Sequence, residues 1–199
     1  MNRLDIVEFH YITHTENLVS IFHQGILCHQ SAQPLRPRSV ASPEVQTRRA
    51  ARVVPRGMPL HHYANVYFTA RNPMMYVLAS QHEELAVIQL SPGILDLPGA
   101  IIADGNAASD PTAFWPSPQG LTRLDAEAIF AEFWKDRNDN EFEQKRKKRI
   151  KCAELLVPDL IPPEFMSGVC VSCAETERVV MGLNLSVPIT QNPHVFFRA

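Results

Sequence analysis

Two basic segments carry the clearest chemical signal, because clustered cations bind phosphate groups. Residues 36–56 contain six arginines and one acid, and residues 145–151 contain six lysines and arginines. Together they hold 12 of the 19 basic residues and 1 of the 21 acids, so the net charge of -2 conceals a strong polarisation. If the two segments share a face, they form a phosphate-binding surface with salt-sensitive affinity. The alternative is a solvated helix face and an ordinary loop.

One acid, Glu154, directly follows the second basic segment, in the sequence KCAELLVP. It precedes an apolar run of strand type, and the alternation of side chains along a strand places its carboxylate near the edge of a sheet. Charged residues at strand ends are ordinary, so the pattern by itself is also that of a surface acid.

Cysteines and histidines are the remaining candidates for metal or redox chemistry. Cys170 and Cys173 form a C-x-x-C pair, but no second pair completes four zinc ligands, so no metal is predicted. The apolar context GVCVSC favours buried strand cysteines. A redox role is not expected, because the motif does not open a helix in this prediction.

Two histidine pairs, His10/His14 and His61/His62, lack a nearby carboxylate pattern such as H-E-x-x-H. Polar histidines at strand ends or in loops explain them at least as well as metal binding or acid–base chemistry. The sequence also lacks the G-x-S-x-G, Walker A and G-x-G-x-x-G motifs, which argues against hydrolase and Rossmann classes.

The elements that must position these residues are mostly short strands, with helices inserted early and in the middle, which predicts an α+β fold. Predicted strands are 6–12, 65–70, 84–91, 99–104, 153–158, 168–173 and a final VFF at 195–197. Predicted helices are 13–25, one opened by Ser42-Pro43 that carries Arg48, Arg49 and Arg52, one opened by Asn72-Pro73, 124–135, and one holding the basic run 145–151. A length of 199 residues predicts a single domain, 1–199.

Three further features bear on function. Residues 105–120 form a long polar loop with two aromatic residues, Phe114 and Trp115, and loops of this length are often functional. No run of 18 apolar residues exists, and residues 1–14 lack the apolar core of a secretory signal. Four irregularly spaced cysteines form no disulfide framework. A cytoplasmic protein without a membrane partner is therefore expected.

Five segments together resemble the DarT family, the DNA ADP-ribosyltransferase toxins of DarTG toxin-antitoxin systems. They are FHYITHTENLVSIFHQGIL (9–27), VQTRR (45–49), PLHHYANVYFTARNPMMY (59–76), ADGNAAS (103–109) and CAELLVP (152–158). They occur in family order and span nearly the whole chain. The resemblance implies an ADP-ribosyltransferase fold: a split, mostly antiparallel β core whose cleft holds NAD.

The resemblance also implies roles for individual residues. Glu154 matches the catalytic glutamate, which stabilises the positive charge that develops on the ribose as its glycosidic bond breaks. Arg49 matches the catalytic arginine, which binds the pyrophosphate or polarises the acceptor base. Candidate NAD contacts are Arg49, His10, Tyr11, Thr13, His14 and Asn17. The family often has Tyr-His where this chain has His10-Tyr11, so either residue is a candidate for the nicotinamide ribose. No metal is assigned.

The implied reaction is transfer of ADP-ribose from NAD to a base of single-stranded DNA, with release of nicotinamide. A single strand exposes its bases, and cations and aromatic side chains can hold it. Candidate DNA contacts are Arg48, Arg52, Arg71, Met74, Met75, Asn106, Lys148, Arg149 and Lys151, with Phe114 and Trp115. Core packing explains the methionines and aromatics equally well. Asn106 stands where some relatives have histidine; asparagine cannot titrate, so no histidine-dependent mechanism is carried over.

The predicted function is a toxin that modifies guanine or thymine, with a slight preference for guanine. The expected partner is an antitoxin, either a DarG-like macrodomain protein or another ADP-ribosyl hydrolase. One alternative is a non-catalytic module that binds single-stranded nucleic acid, which the charge polarisation alone would support. The other keeps the fold and changes the acceptor to RNA or protein, or to water in a plain NAD glycohydrolase.

Overall fold

A computed structural model describes residues 1–198. Its strands are β1 (Phe9–His14), β2 (Ile26–Leu27), β3 (Tyr63–Tyr67), β4 (Leu85–Leu90), β5 (Ile101–Ala103), β6 (Phe114–Pro116), β7 (Glu154–Pro158), β8 (Leu160–Ile161), β9 (Met166–Val171) and β10 (Ile189–Gln191). Eight of them form a sheet in the order β10-β9-β4-β1-β3-β7-β5-β6, and β2 pairs with β8 separately. The pairs are antiparallel except β9 with β10, which are parallel. The mixture of helices and a mostly antiparallel sheet confirms the α+β prediction.

The large sheet splits between β1 and β3. These strands pair at His10 and Tyr67, whereas β1 pairs with β4 from Phe9 to His14. Strand β3 pairs with β7 on its other side from Tyr63 to Tyr67. Because the ladder between β1 and β3 does not continue along the strands, the two halves of the sheet separate and a cleft opens between them. The split core implied by the family resemblance is present.

Residues 1–198 contain seven α-helices: α1 (Leu18–Gln24), α2 (His29–Ala32), α3 (Pro43–Ala51), α4 (Pro73–Leu78), α5 (Ala126–Phe130), α6 (Glu141–Ile150) and α7 (Ala174–Met181). Local sequence explains where several of these helices begin or end. Pro43 occupies the first turn of α3, and the Asn72 side chain accepts hydrogen bonds from two backbone N–H groups of α4. Gly25 ends α1 at a φ of 90°, where a Cβ atom would lie 2.5 Å from the Ile161 carbonyl oxygen.

The apolar core lies mainly on the central strands. Phe9, Val66, Ile88, Leu155 and Val169 are fully buried and come from five different strands of the sheet. Two of these strands, β4 and β7, therefore read as apolar runs in the sequence, because both of their faces are covered. Glu154 begins β7 at the end of this core, so a rigid strand supports it.

Three local predictions are wrong, and tertiary contacts explain two of them. The helix predicted for 124–135 ends at Phe130, where Ala131 adopts an extended conformation while Lys151 Nζ binds the carbonyl of Ile129 at 2.9 Å and that of Ala131. The predicted strand VFF is a 3-10 turn over Pro193–Phe196. The aromatic residues of the long loop form the edge strand β6, paired with β5.

The C-x-x-C prediction was half wrong. Cys170 is a buried residue of β9, as expected, and burial raises the pKa of its thiol to about 11. Cys173, however, is the N-cap of α7, so the motif does open a helix. The pKa of Cys173 is lowered, first by a hydrogen bond with the Thr176 side chain.

Among residues 1–198, no helix combines the length and the apolar character needed to cross a membrane.

Candidate active site

A buried ion pair lies at the edge of the split. Glu154 begins β7 between Tyr67 of β3 and Ala103 of β5, and its exposure is 1%. Arg49 Nη1 donates to Glu154 Oε2 at 3.0 Å and Oε1 at 3.3 Å. The backbone N–H of Ala107 donates to Oε1 at 2.8 Å. Three hydrogen bonds and a guanidinium charge stabilise an ionised carboxylate away from water. The surface-acid reading of Glu154 is therefore wrong.

Arg49 retains an unused donor. It comes from α3 and is itself buried, and its Nη2 has no hydrogen-bond partner within residues 1–198 although the atom is shielded from solvent. A buried guanidinium nitrogen without a partner is costly. Since Arg49 also lines the cleft, a ligand with an anionic or carbonyl oxygen would satisfy it.

The cleft beside this pair has a volume of about 900 Å³, which is large enough for a dinucleotide-sized ligand. Of the residues that the structure describes, no acid lines it, and its lysines and arginines are Arg38, Arg48, Arg49, Lys145, Lys148 and Arg149. Both basic segments of the sequence contribute to this set, so they do meet on one face. A cleft lined by one sign of charge concentrates anionic ligands.

The loop that supplies the Ala107 N–H is clamped to helix α6. Asn106 N donates to the Arg149 carbonyl at 3.0 Å, and Arg149 Nη1 donates to Asp104 Oδ1 at 2.6 Å. Gly105 lies so close that a Cβ atom there would be 2.5 Å from Arg149 Nη1. The start of residues 105–120 therefore belongs to the site, because it positions a donor on Glu154.

Four of the six predicted NAD contacts line the cleft: Tyr11, Thr13, Asn17 and Arg49. Asn17 also ties β1 to the loop after α2, since its Nδ2 donates to Thr13 Oγ1 at 3.1 Å and to the Arg38 carbonyl at 2.9 Å.

His10 and His14 lie outside the cleft-lining set. Nε2 of His10 is 3.0 Å from Glu8 Oε1. Nδ1 of the buried His14 accepts from Glu16 N, which leaves its Nε2 to donate to Glu84 Oε2 at 3.3 Å. Of the adjacent pair His10-Tyr11, the structure places Tyr11 in the cleft.

The predicted DNA contacts divide into four groups. Five line the cleft: Arg48, Met74, Asn106, Lys148 and Arg149. Arg52 and Arg71 are engaged by the protein itself: Arg52 Nη1 binds Asp110 at 3.0 Å, and Arg71 Nη2 binds Glu132 at 2.7 Å. Met75 and Lys151 are buried, so their assignment as DNA contacts was wrong. Phe114 and Trp115 lie on β6, outside the set that lines the cleft.

Lys151 differs from its basic neighbours because its ammonium group is enclosed. Burial, and then the charge of Arg71, lowers its pKa from 10.5 to about 8. Between those pH values the unfolded chain keeps a proton that the folded chain has released, so stability rises with pH there. We expect this side chain to add roughly 3 kcal/mol to the free energy of unfolding across the window.

Urea denaturation between about pH 8 and 10 measures this slope. Lys151→Met should remove the rise, whereas Lys148→Met, at an exposed position of the same basic run, should retain it. Equal slopes for wild type and Lys151→Met would contradict the assignment.

Several cleft residues were missed in the sequence. Tyr63, Asn65 and Tyr67 alternate along β3 and all line the cleft. Their spacing of two residues within the strand was the available signal. Burial, followed by the negative charge of Glu154, raises the pKa of Tyr67 well above its usual value, so its hydroxyl stays protonated and donates to Met74 Sδ at 3.3 Å. Burial raises the pKa of the cleft residue Cys152 to about 12.

A contact between the tilted rings of two histidines, His29 and His61, was also missed. The rings of His29 and His61 have centroids 4.1 Å apart, and His29 lines the cleft. Burial is the first cause that lowers the pKa of both imidazoles, and the positive charge of Arg49 contributes to both shifts. Neutral rings at this position can accept hydrogen bonds without adding charge beside Arg49.

Known proteins share this architecture. A curated relative from Thermosipho africanus, a DNA ADP-ribosyl transferase-DNA ADP-ribosyl glycohydrolase fusion protein, is 30% identical over 198 residues, covering 96% of this chain and 49% of the relative. This chain thus spans about half the length of that protein. A DNA ADP-ribosyl transferase from Thermus aquaticus is 29% identical over 200 residues, covering 95% of this chain and 86% of the relative.

A solved structure of Thermus sp. 2.9 DarT in complex with ADP-ribosylated ssDNA shares the fold, with a TM-score of 0.81 at 23% identity over 96% of each chain. The same protein in complex with NAD+ gives a TM-score of 0.78 at 23% identity, covering 96% of this chain and 98% of that one. The profile of the family described as "ssDNA thymidine ADP-ribosyltransferase, DarT" matches residues 10–197. The chain, with its split sheet and its buried glutamate–arginine pair, therefore belongs to the DarT family.

Proposed function

We propose that this protein transfers ADP-ribose from NAD to a base of single-stranded DNA and releases nicotinamide. The observation that carries the proposal is the Glu154–Arg49 pair, buried beside a cleft whose charged lining residues are all basic. NAD and DNA are both phosphate anions, so one positive cleft can attract both. Membership of the family and the NAD+ and ADP-ribosylated ssDNA complexes of the Thermus protein support the same reaction.

The chemistry follows from the charges. When the bond between the ribose C1′ and the nicotinamide nitrogen breaks, the electron pair leaves with nicotinamide and positive charge develops on the ribose. The ionised carboxylate of Glu154 stabilises that charge, because Arg49 and the Ala107 N–H hold it in a fixed position. A nitrogen of the base then forms a bond to C1′ and releases its proton to solvent. In this proposal the Nη2 of Arg49, which has no hydrogen-bond partner within residues 1–198, donates to a phosphate or base oxygen.

NAD and DNA take different parts of the cleft in this proposal. Tyr11, Thr13 and Asn17, on the β1 side, contact NAD. Arg48, Met74, Asn106, Lys148 and Arg149 contact the DNA strand. Thymine is the first acceptor to test, because the family description names thymidine, and guanine is the second.

The biological setting is also a proposal. The Thermosipho relative joins a transferase to a DNA ADP-ribosyl glycohydrolase in one chain, which supports an antitoxin that removes the modification. We propose a toxin of a toxin-antitoxin system that acts as a single domain, 1–199, in the cytoplasm, where its DNA substrate lies. The partner is a DarG-like macrodomain protein or another ADP-ribosyl hydrolase.

Incubation of the protein with NAD and single-stranded oligonucleotides that differ in one base, read by intact mass, tests the reaction. A gain of one ADP-ribose unit on DNA is expected, and the oligonucleotide that gains it identifies the base. NAD consumption without a DNA product would point to RNA, protein or water as acceptor. DNA binding without NAD consumption would favour a non-catalytic binding module.

Lys148 provides a separate test of the DNA path. Its side chain is exposed at the cleft, so it contacts phosphate without supporting the core. Lys148→Gln should weaken binding to all single strands alike and reduce the slope of log affinity against log salt by about 0.7. Fluorescence anisotropy at several salt concentrations measures this slope. Lys135→Gln, at an exposed lysine outside the cleft lining, is the matched control and should leave the slope unchanged.

A further inference from the structure

A second group of reactive side chains lies outside the cleft lining, where the 3-10 segment Ala79–Glu84 meets the start of α7. The group consists of His82, Glu83 and Cys173. Each offers one atom that could bind a metal, and these three atoms lie within 4.8 Å of one another. His82 and Cys173 are half-buried and Glu83 is exposed. Imidazole nitrogen, carboxylate oxygen and thiolate sulfur are the donor types that zinc takes in proteins.

Ser172 determines which nitrogen of His82 carries the proton. The Ser172 hydroxyl donates to the His82 carbonyl at 3.1 Å, and His82 Nδ1 lies 2.8 Å from the same hydroxyl oxygen. A hydroxyl has one hydrogen, which the carbonyl already takes, so Nδ1 must be the donor to Ser172. The lone pair of the neutral ring then lies on Nε2. A metal-binding histidine needs this arrangement, with one nitrogen held by a second residue and the other free.

The segment Ala79–Glu84 and the start of α7 are also held together without an ion. Thr176 Oγ1 donates to the Glu83 carbonyl at 2.9 Å and lies 3.3 Å from Cys173 Sγ. Ser172 and Thr176 therefore hold the two segments that carry the candidate metal ligands. Around a tetrahedral zinc ion with bonds of about 2.0–2.3 Å, the donor atoms lie about 3.5 Å apart. The three donor atoms reach this separation by movement of their side chains alone.

We propose that His82, Glu83 and Cys173 bind a divalent transition metal ion of the zinc type, with a fourth position open to water. Binding releases the thiol proton to solvent, so thiolate and carboxylate together balance the charge of the ion. Sulfur and nitrogen donors disfavour Mg²⁺ and Ca²⁺, which take oxygen ligands. The ion would join the segment Ala79–Glu84 to α7. This site stands independently of the proposed transferase reaction.

Cobalt is the probe, because Co²⁺ takes similar ligands and gives a thiolate-to-metal absorption band when a cysteine binds it. We expect titration of the reduced, tag-free protein to produce this band and to saturate at one ion per chain. Cys173→Ser should abolish the band and still fold, since serine is a favoured helix N-cap. Glu175→Gln, at an exposed acid in the same turn of α7, should retain it.

A second variant tests the histidine argument. Ser172→Ala removes the acceptor of Nδ1, and removal of such a supporting contact should weaken Co²⁺ affinity by roughly 10–100-fold. Zn²⁺ should raise the Tm of the wild-type protein and leave that of Cys173→Ser unchanged. Absence of the thiolate band in the folded wild-type protein would overturn the proposal, and so would a band that survives in Cys173→Ser.

Discussion

Glu154→Gln is expected to lower the rate of ADP-ribose transfer by at least about 10²–10³-fold, the range seen when a charge-stabilising group is removed from an active site. The carboxylate is buried, held by Arg49 and by the Ala107 N–H, and cannot be replaced by water or by a neighbouring acid in the lining of the cleft. Glutamine keeps the shape of the side chain and removes its charge, so the positive ribose loses its stabilising partner.

The same substitution also affects the fold, and the measurement must separate the two effects. Glutamine leaves the guanidinium of Arg49 buried without its counter-charge, and breaking a buried pair in this way costs on the order of 3–5 kcal/mol. Single-turnover transfer to the oligonucleotide that the wild-type protein modifies should therefore be measured below the melting temperature of the variant. Circular dichroism and DNA anisotropy establish that the variant is folded and binds DNA.

Glu164→Gln is the matched control, because Glu164 is an exposed acid outside the cleft lining. It should transfer ADP-ribose at the wild-type rate. A Glu154→Gln protein that folds, binds DNA and transfers within a few-fold of wild type would remove Glu154 from the catalytic role.

The second large effect is expected from Arg49→Lys. Lysine preserves the positive charge next to Glu154, but its single ammonium group cannot reproduce the planar fork of arginine. One nitrogen must then serve both the carboxylate and the ligand, whereas arginine binds Glu154 through Nη1 and keeps Nη2 free. We expect a loss of transfer of about 10²-fold or more, together with weaker NAD binding.

Comparison of two substitutions at this position separates charge from geometry. Arg49→Ala leaves the carboxylate of Glu154 buried and unpaired, so it should destabilise the fold by on the order of 3–5 kcal/mol. Arg49→Lys should be markedly more stable and nearly as inactive. Arg123→Lys, at an exposed arginine outside the cleft lining, should behave as wild type in thermal melts, NAD titrations and transfer assays. An Arg49→Lys protein with wild-type transfer would show that only the charge matters.

Much of the local structure was predictable because the responsible interactions are short-range. The proline at the start of α3, the Asn72 cap of α4 and the glycine that ends α1 each act within one turn of chain. The apolar runs of β4 and β7 were readable for a related reason, since strands covered on both faces are apolar throughout. These signals predicted the main elements and the α+β class.

The failures share a different cause. Lys148 and Lys151 lie three residues apart in one basic run, yet one is exposed and the other is enclosed by carbonyls from residues 129 and 131. Likewise, Met74 lines the cleft while its neighbour Met75 is buried in the core. Residue type and spacing could not distinguish these neighbours, because their exposure depends on which distant segment packs against them.

The sequence by itself therefore determined the fold class, most helix and strand positions, the polarised charge and, through five family-like segments, the identity of Glu154 and Arg49. Tertiary structure alone decided that these two residues, 105 positions apart, form one buried pair, and that both basic segments reach the same cleft. It also decided that Tyr11 rather than His10 lines that cleft. The reason is physical: caps and periodicity act over a few residues, whereas burial, ion pairing and pKa shifts arise only where packing brings separate parts of the chain together.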